Sequence, residues 1–199
     1  MILSLKGSCV KSYDKIYDIN NKNIHVMNIR NVHYLILGFL VEKPLHGYQI
    51  YKNFDDPDGI GIIWKIKITN IYGLLDALEK NKFIAISTNA EIENSYPPKK
   101  YFEITRAGRD AFQRWMTTPV KHGREIRQVF LSKLFFAKKM NEEVFNELIH
   151  EQIKECKTWL KNITQITSEK SEFGEMVNSF RKIQILSFIQ WLEGLNETE

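Results

Sequence analysis

The sequence predicts a mainly α-helical protein with one small β-hairpin, an α+β arrangement. Apolar residues recur every three or four positions through most of the 199 residues, which is the spacing of a buried helix face. Two short stretches, 83–88 and 100–105, are instead rich in aromatic and β-branched residues, as strands are. We therefore expect a first domain that carries the hairpin, followed by an α-helical second domain.

The composition is that of a globular chain, with 43% hydrophobic and 26% charged residues. Residues 117–199 carry as many acids as bases, so the net charge of +4 lies nearer the N-terminus and weakly favours an acidic partner there. Cys9 and Cys156 form no CxxC pair, which is typical of a reducing compartment. The apolar run of residues 34–41 is too short to span a bilayer. These features predict a cytoplasmic protein with no membrane partner.

Residues 1–26 show no hydrophobic period and are rich in Asn, Lys and Ser, so they are predicted to be an N-terminal extension. Two interpretations stay open. The segment is either a poorly ordered arm or a stretch upstream of a true start at Met27.

The first domain is predicted over residues 27–116. Its first helix covers residues 29–41 and ends ahead of Pro44. A second helix covers residues 46–54, and the dense run of Asp, Pro and Gly at residues 55–59 predicts a turn after it.

A third helix follows Trp64, with Thr69 or a near neighbour as its cap. Its apolar stripe consists of Ile71, Leu74, Leu75 and Leu78. The two strands come next, joined by a polar loop at residues 89–98. Thr105 then caps a fourth helix that runs to about Met116.

Residues 117–119 form the predicted domain boundary, and residues 120–195 form an α-helical dimerisation domain. A break at residues 168–174 divides its long helix from a final helix. The apolar stripe of the long helix would face water in so small a domain, so we predict that it is the dimer interface. The stripe consists of Phe145, Ile149, Ile153, Cys156, Leu160 and Ile163.

A helix followed by a hairpin with lysines at the start of its second strand is typical of a winged helix-turn-helix. In that fold the helix enters a groove of double-stranded DNA and the hairpin, or wing, grips phosphates beside it. The candidate DNA contacts are Tyr48, Lys65, Lys67, Thr69, Asn70, Tyr72, Lys99 and Lys100.

Several of these candidates have a structural alternative. Tyr72 could contact DNA or pack against the wing. Asn70 could read an adenine edge or cap the helix, and the cap is the preferred interpretation. His46 is expected to be a structural hydrogen-bonding group within its turn.

Three motifs in order carry a family resemblance. Residues 44–48 read Pro-Leu-His-Gly-Tyr, Trp64 precedes Asn-Ile-Tyr-Gly-Leu-Leu at residues 70–75, and residues 98–109 read Pro-Lys-Lys-Tyr-Phe-Glu-Ile-Thr-Arg-Ala-Gly-Arg. The chain resembles the PadR family of transcriptional regulators. Thr69 stands where that family usually has glycine, and Gly73 where it usually has proline.

The resemblance implies a homodimeric repressor that binds a pseudo-palindromic operator and is often released by a small molecule. Trp159 and Trp191 could line a cavity for a small aromatic effector, or they could belong to the dimer core.

No spacing typical of a metal site, a nucleotide-binding loop or a nucleophile–base pair occurs, so we predict no enzyme, no cofactor and no metal. The alternative function is a winged-helix protein-interaction module that binds no operator.

Overall fold

The computed structural model describes residues 30–88, 99–165 and 171–196. The predicted extension at residues 1–26 and the predicted loop at residues 89–98 lie outside the described residues. The described elements are α1 (Asn31–Phe39), β1 (Leu45–His46), α2 (Gly47–Asp55), a 3-10 turn (Ile60–Ile62), α3 (Ile68–Lys80), β2 (Ile84–Ile86), β3 (Tyr101–Ile104), α4 (Arg106–Thr117), α5 (Gly123–Glu125), a π-helical turn (Ile126–Phe130), α6 (Leu131–Met140), α7 (Glu142–Gln165) and α8 (Glu172–Asn196). The fold is mainly α-helical with a small antiparallel sheet, as predicted. None of the described helices is both long and apolar enough to cross a membrane.

The sheet has the strand order β1-β3-β2, and both pairings are antiparallel. Ile84 of β2 lies opposite Ile104 of β3, and on the other side Leu45 of β1 lies opposite Phe102. The hairpin was predicted, whereas β1 was not, because two residues are too few to show an alternating pattern. Through β1 the wing is joined directly to the start of α2.

Helix α1 is buried over most of its circumference, and Leu35, Ile36 and Leu37 are all fully covered. A helix that is apolar all round belongs in the centre of a core. Gly38 leaves room for the ring of Phe136 on α6, since a Cβ on it would lie 2.5 Å from that ring. Helix α1 therefore lies in the shared core and contacts α6 across it.

The buried imidazole of His33 gives stability a specific pH dependence. Its Nδ1 accepts a hydrogen bond from the backbone N–H of Arg30 at 3.1 Å, at the start of α1. Burial lowers the pKa of His33 below its usual 6.5, against a smaller opposing effect of the Arg30 carbonyl, which lies 3.2 Å from Nδ1 and favours the protonated ring. The unfolded chain therefore takes up a proton at a higher pH than the folded chain does, and this part of the stability is lost as the pH falls below about 6.5.

We expect His33→Gln to flatten the fall in the urea midpoint between about pH 7.5 and pH 5, whatever its effect at neutral pH. The comparison of slopes removes contributions from carboxylates, which are the same in both proteins. Parallel slopes for the unchanged protein and the variant would show that His33 does not carry this dependence.

Two predicted helix caps have different outcomes. Thr105 caps α4 as predicted, since its Oγ1 accepts a hydrogen bond from the N–H of Gly108 at 3.1 Å. In α3 the cap position falls on Lys67, whose side chain makes no capping bond. Thr69 and Asn70 lie inside the first turn, so the prediction that Asn70 is the cap is wrong. Its backbone N–H donates to the Lys67 carbonyl at 2.9 Å, and its side chain is left at the exposed end of the helix.

Side chains from both sides of residues 117–119 belong to one contiguous core. The fully buried amide of Gln152 on α7 accepts from the N–H of Val120 at 2.8 Å and donates to its carbonyl at 3.2 Å. The indole of Trp64 donates to Ser132 of α6 at 2.8 Å. The predicted boundary is thus a packed junction along the described chain, and its use as a division between domains stays a prediction.

The stripe of α7 does not face water. Ile149 and Cys156 are fully buried and Ile153 is 8% exposed, because α6 and α8 of the same chain cover this face. The premise that this stripe would otherwise face water is therefore wrong for its middle, whereas Phe145, Leu160 and Ile163 are half-buried. Its assignment as the dimer interface stays a prediction. Burial raises the pKa of the Cys156 thiol to about 11, so the thiol stays protonated and unreactive at neutral pH.

Among the described residues after 120, the exposed large apolar side chains lie on α8, apart from Met140 at the end of α6. This helix begins inside the predicted break at residues 168–174. Its exposed large apolar residues are Phe173, Met176, Phe180, Ile183, Leu186 and Trp191.

Candidate nucleic-acid interface

Helices α2 and α3 form a packed pair with one side turned to solvent. Ile50 and Phe54 of α2 and Ile71 and Leu75 of α3 are fully buried or nearly so. The connection between the helices contains the 3-10 turn at Ile60–Ile62, in which Ile60 is buried and Ile62 is exposed. The side of α3 that faces away from this core carries the exposed residues Thr69, Asn70, Tyr72, Gly73, Asp76 and Lys80.

The wing lies beside this exposed side. The ammonium of Lys100, just ahead of β3, contacts Glu79 of α3 at 3.0 Å and lies 5.2 Å from the ring of Phe102. Both charged side chains are partly in water, so the ion pair contributes little stability. The contact shows that the start of β3 lies against α3.

A cavity of about 310 Å³ marks the place where the helix and the wing meet. Tyr72 and Asp76 of α3 and Lys99 and Lys100 of the wing line it, together with Gly47 of α2. The structure therefore brings together three of the predicted DNA contacts, Tyr72, Lys99 and Lys100. We call this surface the helix–wing cleft.

Tyr72 packs on the start of α2, which neither sequence interpretation predicted. A Cβ on Gly47 would lie 2.7 Å from the Tyr72 ring, so the absence of a side chain on this glycine leaves room for the ring. The side chain remains 52% exposed beside the cleft. A ring that is held on one side and exposed on the other is well placed to contact a phosphate or a base edge.

His46 has the structural role predicted for it. Its Nδ1 accepts from the N–H of Gln49 at 3.4 Å, and the Gln49 side chain accepts from the N–H of His46 at 3.1 Å. This reciprocal pair caps α2. The ring also packs edge-on against Tyr101 of β3 at 5.3 Å, so the cap links α2 to the wing.

A further cation, Lys52, lies beside the predicted contact Tyr48 on α2. Its ammonium is 5.6 Å from the Tyr48 ring and 3.6 Å from Asp55. Tyr48, and to a smaller degree Asp55, raise the pKa of Lys52 above its usual value, so it is charged at neutral pH. Lys52 was not among the predicted contacts. Its four-residue spacing from Tyr48, which places both side chains on one face of α2, is the sequence signal that could have indicated it. Lys65 and Lys67 are exposed ahead of α3 and do not line the helix–wing cleft.

The two tryptophans predicted for an effector site have other surroundings. Trp159 donates from its indole to Glu155 of its own helix at 2.9 Å, and Trp191 packs edge-on against Phe130 at 6.3 Å. Neither lines a cavity of about 620 Å³ that lies between the winged-helix region and α5–α6. Trp64 and Trp115 line that cavity instead.

Two packed helices, the second exposed beside a lysine-bearing hairpin, define the winged helix-turn-helix class. Residues 36–114 match the model of the transcriptional regulator PadR-like family. The chain is 31% identical to the probable transcriptional regulator Rv1176c of Mycobacterium tuberculosis over 85 residues, which are 43% of this chain and 43% of that protein. The match thus spans less than half of the relative's length.

Solved structures of similar chains include Bacillus subtilis PadR in complex with operator DNA. It is 23% identical, with 83% of this chain and 97% of that chain covered and a TM-score of 0.43. Bacillus subtilis PadR in complex with p-coumaric acid is 22% identical, with 83% and 96% covered and a TM-score of 0.40.

Proposed function

We propose that this protein is a sequence-specific DNA-binding transcriptional regulator. The observation that carries the proposal is the helix–wing cleft within a PadR-like domain, where the exposed side of α3 meets Lys99 and Lys100. Residues at the N-terminal end of α3, Asn70 and Tyr72, would contact base edges in the major groove. The lysines would bind the phosphates beside that groove and fix the register of the helix.

The proposed regulator acts as a homodimer that pairs through α8. Phe173, Met176, Phe180 and Ile183 follow one another at intervals of three, four and three residues and are 73%, 63%, 64% and 63% exposed. This is the heptad spacing with which two helices pack together. An exposed apolar stripe of this length normally marks an interface. Two-fold pairing would place two α3 helices about one DNA turn apart, which matches a pseudo-palindromic operator.

Binding at such an operator would repress transcription by covering a promoter, and an effector would act through the cavity of about 620 Å³. The aromatic walls of Trp64 and Trp115 suit a small planar molecule. The cavity lies across the junction between the two parts of the chain. A ligand that binds one arrangement of this junction better would therefore shift the spacing of the two α3 helices.

Capture of genomic DNA fragments by the purified protein, in the presence of excess random DNA, tests the proposal. We expect a small set of fragments to be retained, with affinity at least about 1,000-fold above that for random DNA. Retention of all fragments alike, or binding without any salt dependence, would favour the alternative of a protein-interaction module.

The wing should contribute through charge. We expect the double change Lys99→Ala and Lys100→Ala to weaken binding about equally on operator and random DNA. The log-log slope of affinity against salt should shrink by about one for each lost phosphate contact. Fluorescence anisotropy at several salt concentrations measures both quantities.

Lys154→Ala is the matched control, because Lys154 is a half-exposed, ion-paired lysine of α7, remote in sequence from the wing. It should leave the slope unchanged. An unchanged slope in the double wing variant would remove the wing from the proposed interface.

A further inference from the structure

Gly73 occupies the outermost face of α3. The buried stripe of this helix consists of Ile71, Leu74, Leu75 and Leu78. On the opposite side, Thr69, Gly73, Asp76 and Lys80 follow one another at helical spacing, and all four are exposed. The glycine thus lies in the second turn, in the middle of the face that points away from the protein.

Among the residues that the structure describes, no contact requires a glycine at this position. The φ angle of Gly73 is not positive, so its backbone suits any residue. A Cβ there would meet nothing within 4 Å, whereas a Cβ on Gly38 or Gly47 would meet a side chain at 2.5 or 2.7 Å. Glycine within an exposed helix is also less favourable than alanine. The missing side chain therefore destabilises α3 without easing any contact within the described part of the chain.

We propose that Gly73 is the point at which the backbone of α3 comes closest to the DNA, and that its missing side chain sets sequence specificity. This inference rests on the proposed function. With no Cβ at the centre of the face, the helix axis can lie deep in the major groove. Asn70 and Tyr72 before the glycine, and Asp76 after it, then reach the base edges.

The charge of the same face supports contact with bases at this depth. Asp76 is exposed one turn after Gly73 and lines the helix–wing cleft. A carboxylate is repelled by phosphates, but it can accept a hydrogen bond from the N4 amino group of cytosine in the major groove. A displacement of the helix by about 1 Å would stretch a hydrogen bond of ordinary length beyond its useful range. The methyl group of an alanine at residue 73 would displace the helix in this way and so lengthen the hydrogen bonds to the bases.

The test compares Gly73→Ala with the matched control Gly194→Ala. Gly194 is also exposed in a long helix, and a Cβ there also meets nothing within 4 Å. Both variants should have a melting temperature that is higher than that of the unchanged protein by up to about 4 °C, because alanine is more favourable than glycine within a helix. Gly73→Ala should bind the genomic fragment selected by the unchanged protein about tenfold more weakly. Its affinity for random DNA should stay within about twofold of the unchanged value, since most of that binding is electrostatic. Because Gly194 lies on α8, the proposed pairing helix, it is the control for melting temperature alone. Thr158→Ala, a change at an exposed position of α7, is the control for binding and should alter neither affinity.

Three results would overturn the inference. The first is operator affinity that survives Gly73→Ala, and the second is an equal loss on operator and random DNA. The third is a lower melting temperature for Gly73→Ala, which would show that the fold itself needs the glycine. An unchanged protein that does not distinguish selected from random DNA would contradict the proposed function and this inference together.

Discussion

Phe180→Asp is expected to convert the protein to folded monomers and to lower its affinity for the selected operator by about 100-fold or more. Phe180 is 64% exposed at the centre of the α8 stripe, so the chain can fold around the change. A carboxylate buried between two α8 helices would have no partner and would strongly oppose pairing. Each monomer would then hold a single half-site, and the gain from binding two half-sites at once would be lost.

Size-exclusion chromatography with light scattering measures the first effect, and fluorescence anisotropy on the operator measures the second. Thr158→Asp is the control, because it adds the same charge at an exposed position of α7. Ile153→Asp is unsuitable as a probe of pairing, since Ile153 is buried within the chain and its replacement should unfold the protein. A dimer of normal operator affinity in Phe180→Asp would show that α8 is not the interface.

Gly108→Ala is expected to destabilise the fold by about 3 kcal/mol and to lower the melting temperature by about 10 °C. A Cβ on Gly108 would lie 2.1 Å from the backbone carbonyl oxygen of Phe83, where α4 crosses the start of the wing. Because this neighbour is backbone, it cannot turn aside as a flexible side chain would. The same carbonyl accepts from the N–H of Thr105 at 3.0 Å and from its hydroxyl at 3.1 Å, so both bonds would be strained.

Thermal unfolding followed by circular dichroism provides the measurement. Gly123→Ala is the matched control, since a Cβ there would meet its nearest neighbour at an ordinary 3.6 Å. Near-equal melting temperatures for Gly108→Ala and Gly123→Ala would mean that α4 does not press on the wing as described.

The first half of the chain could be predicted closely because its signals are local. The apolar spacing of α1 and α3 and the threonine ahead of α4 each depend on neighbouring residues alone. Strand β1 and the π-helical turn at Ile126–Phe130 could not be predicted, because both are shorter than any hydrophobic period. The cap of α3 was misplaced because Thr69 and Asn70 have suitable side chains, whereas the helix begins ahead of both.

The second half of the chain shows which features the hydrophobic period of a sequence does not determine. The spacing of Ile149, Ile153 and Cys156 correctly indicated a buried face, but the sequence does not reveal whether the covering helix belongs to the same chain. The packing of Tyr72 on Gly47 depends on a contact between two helices and has no local signature. In the same way, the tryptophans that line the cavity at the junction, Trp64 and Trp115, are brought together only by the fold.

Selection of binding sites from randomised duplex DNA is the most direct test of a dimeric, sequence-reading winged helix. The full chain should enrich an inverted repeat whose half-site centres lie about one turn, or 10 base pairs, apart. Phe180→Asp should enrich a single half-site at most. Enrichment of no common sequence by the unchanged protein would contradict sequence-specific binding, and enrichment of an asymmetric site without a repeat would contradict the two-fold dimer.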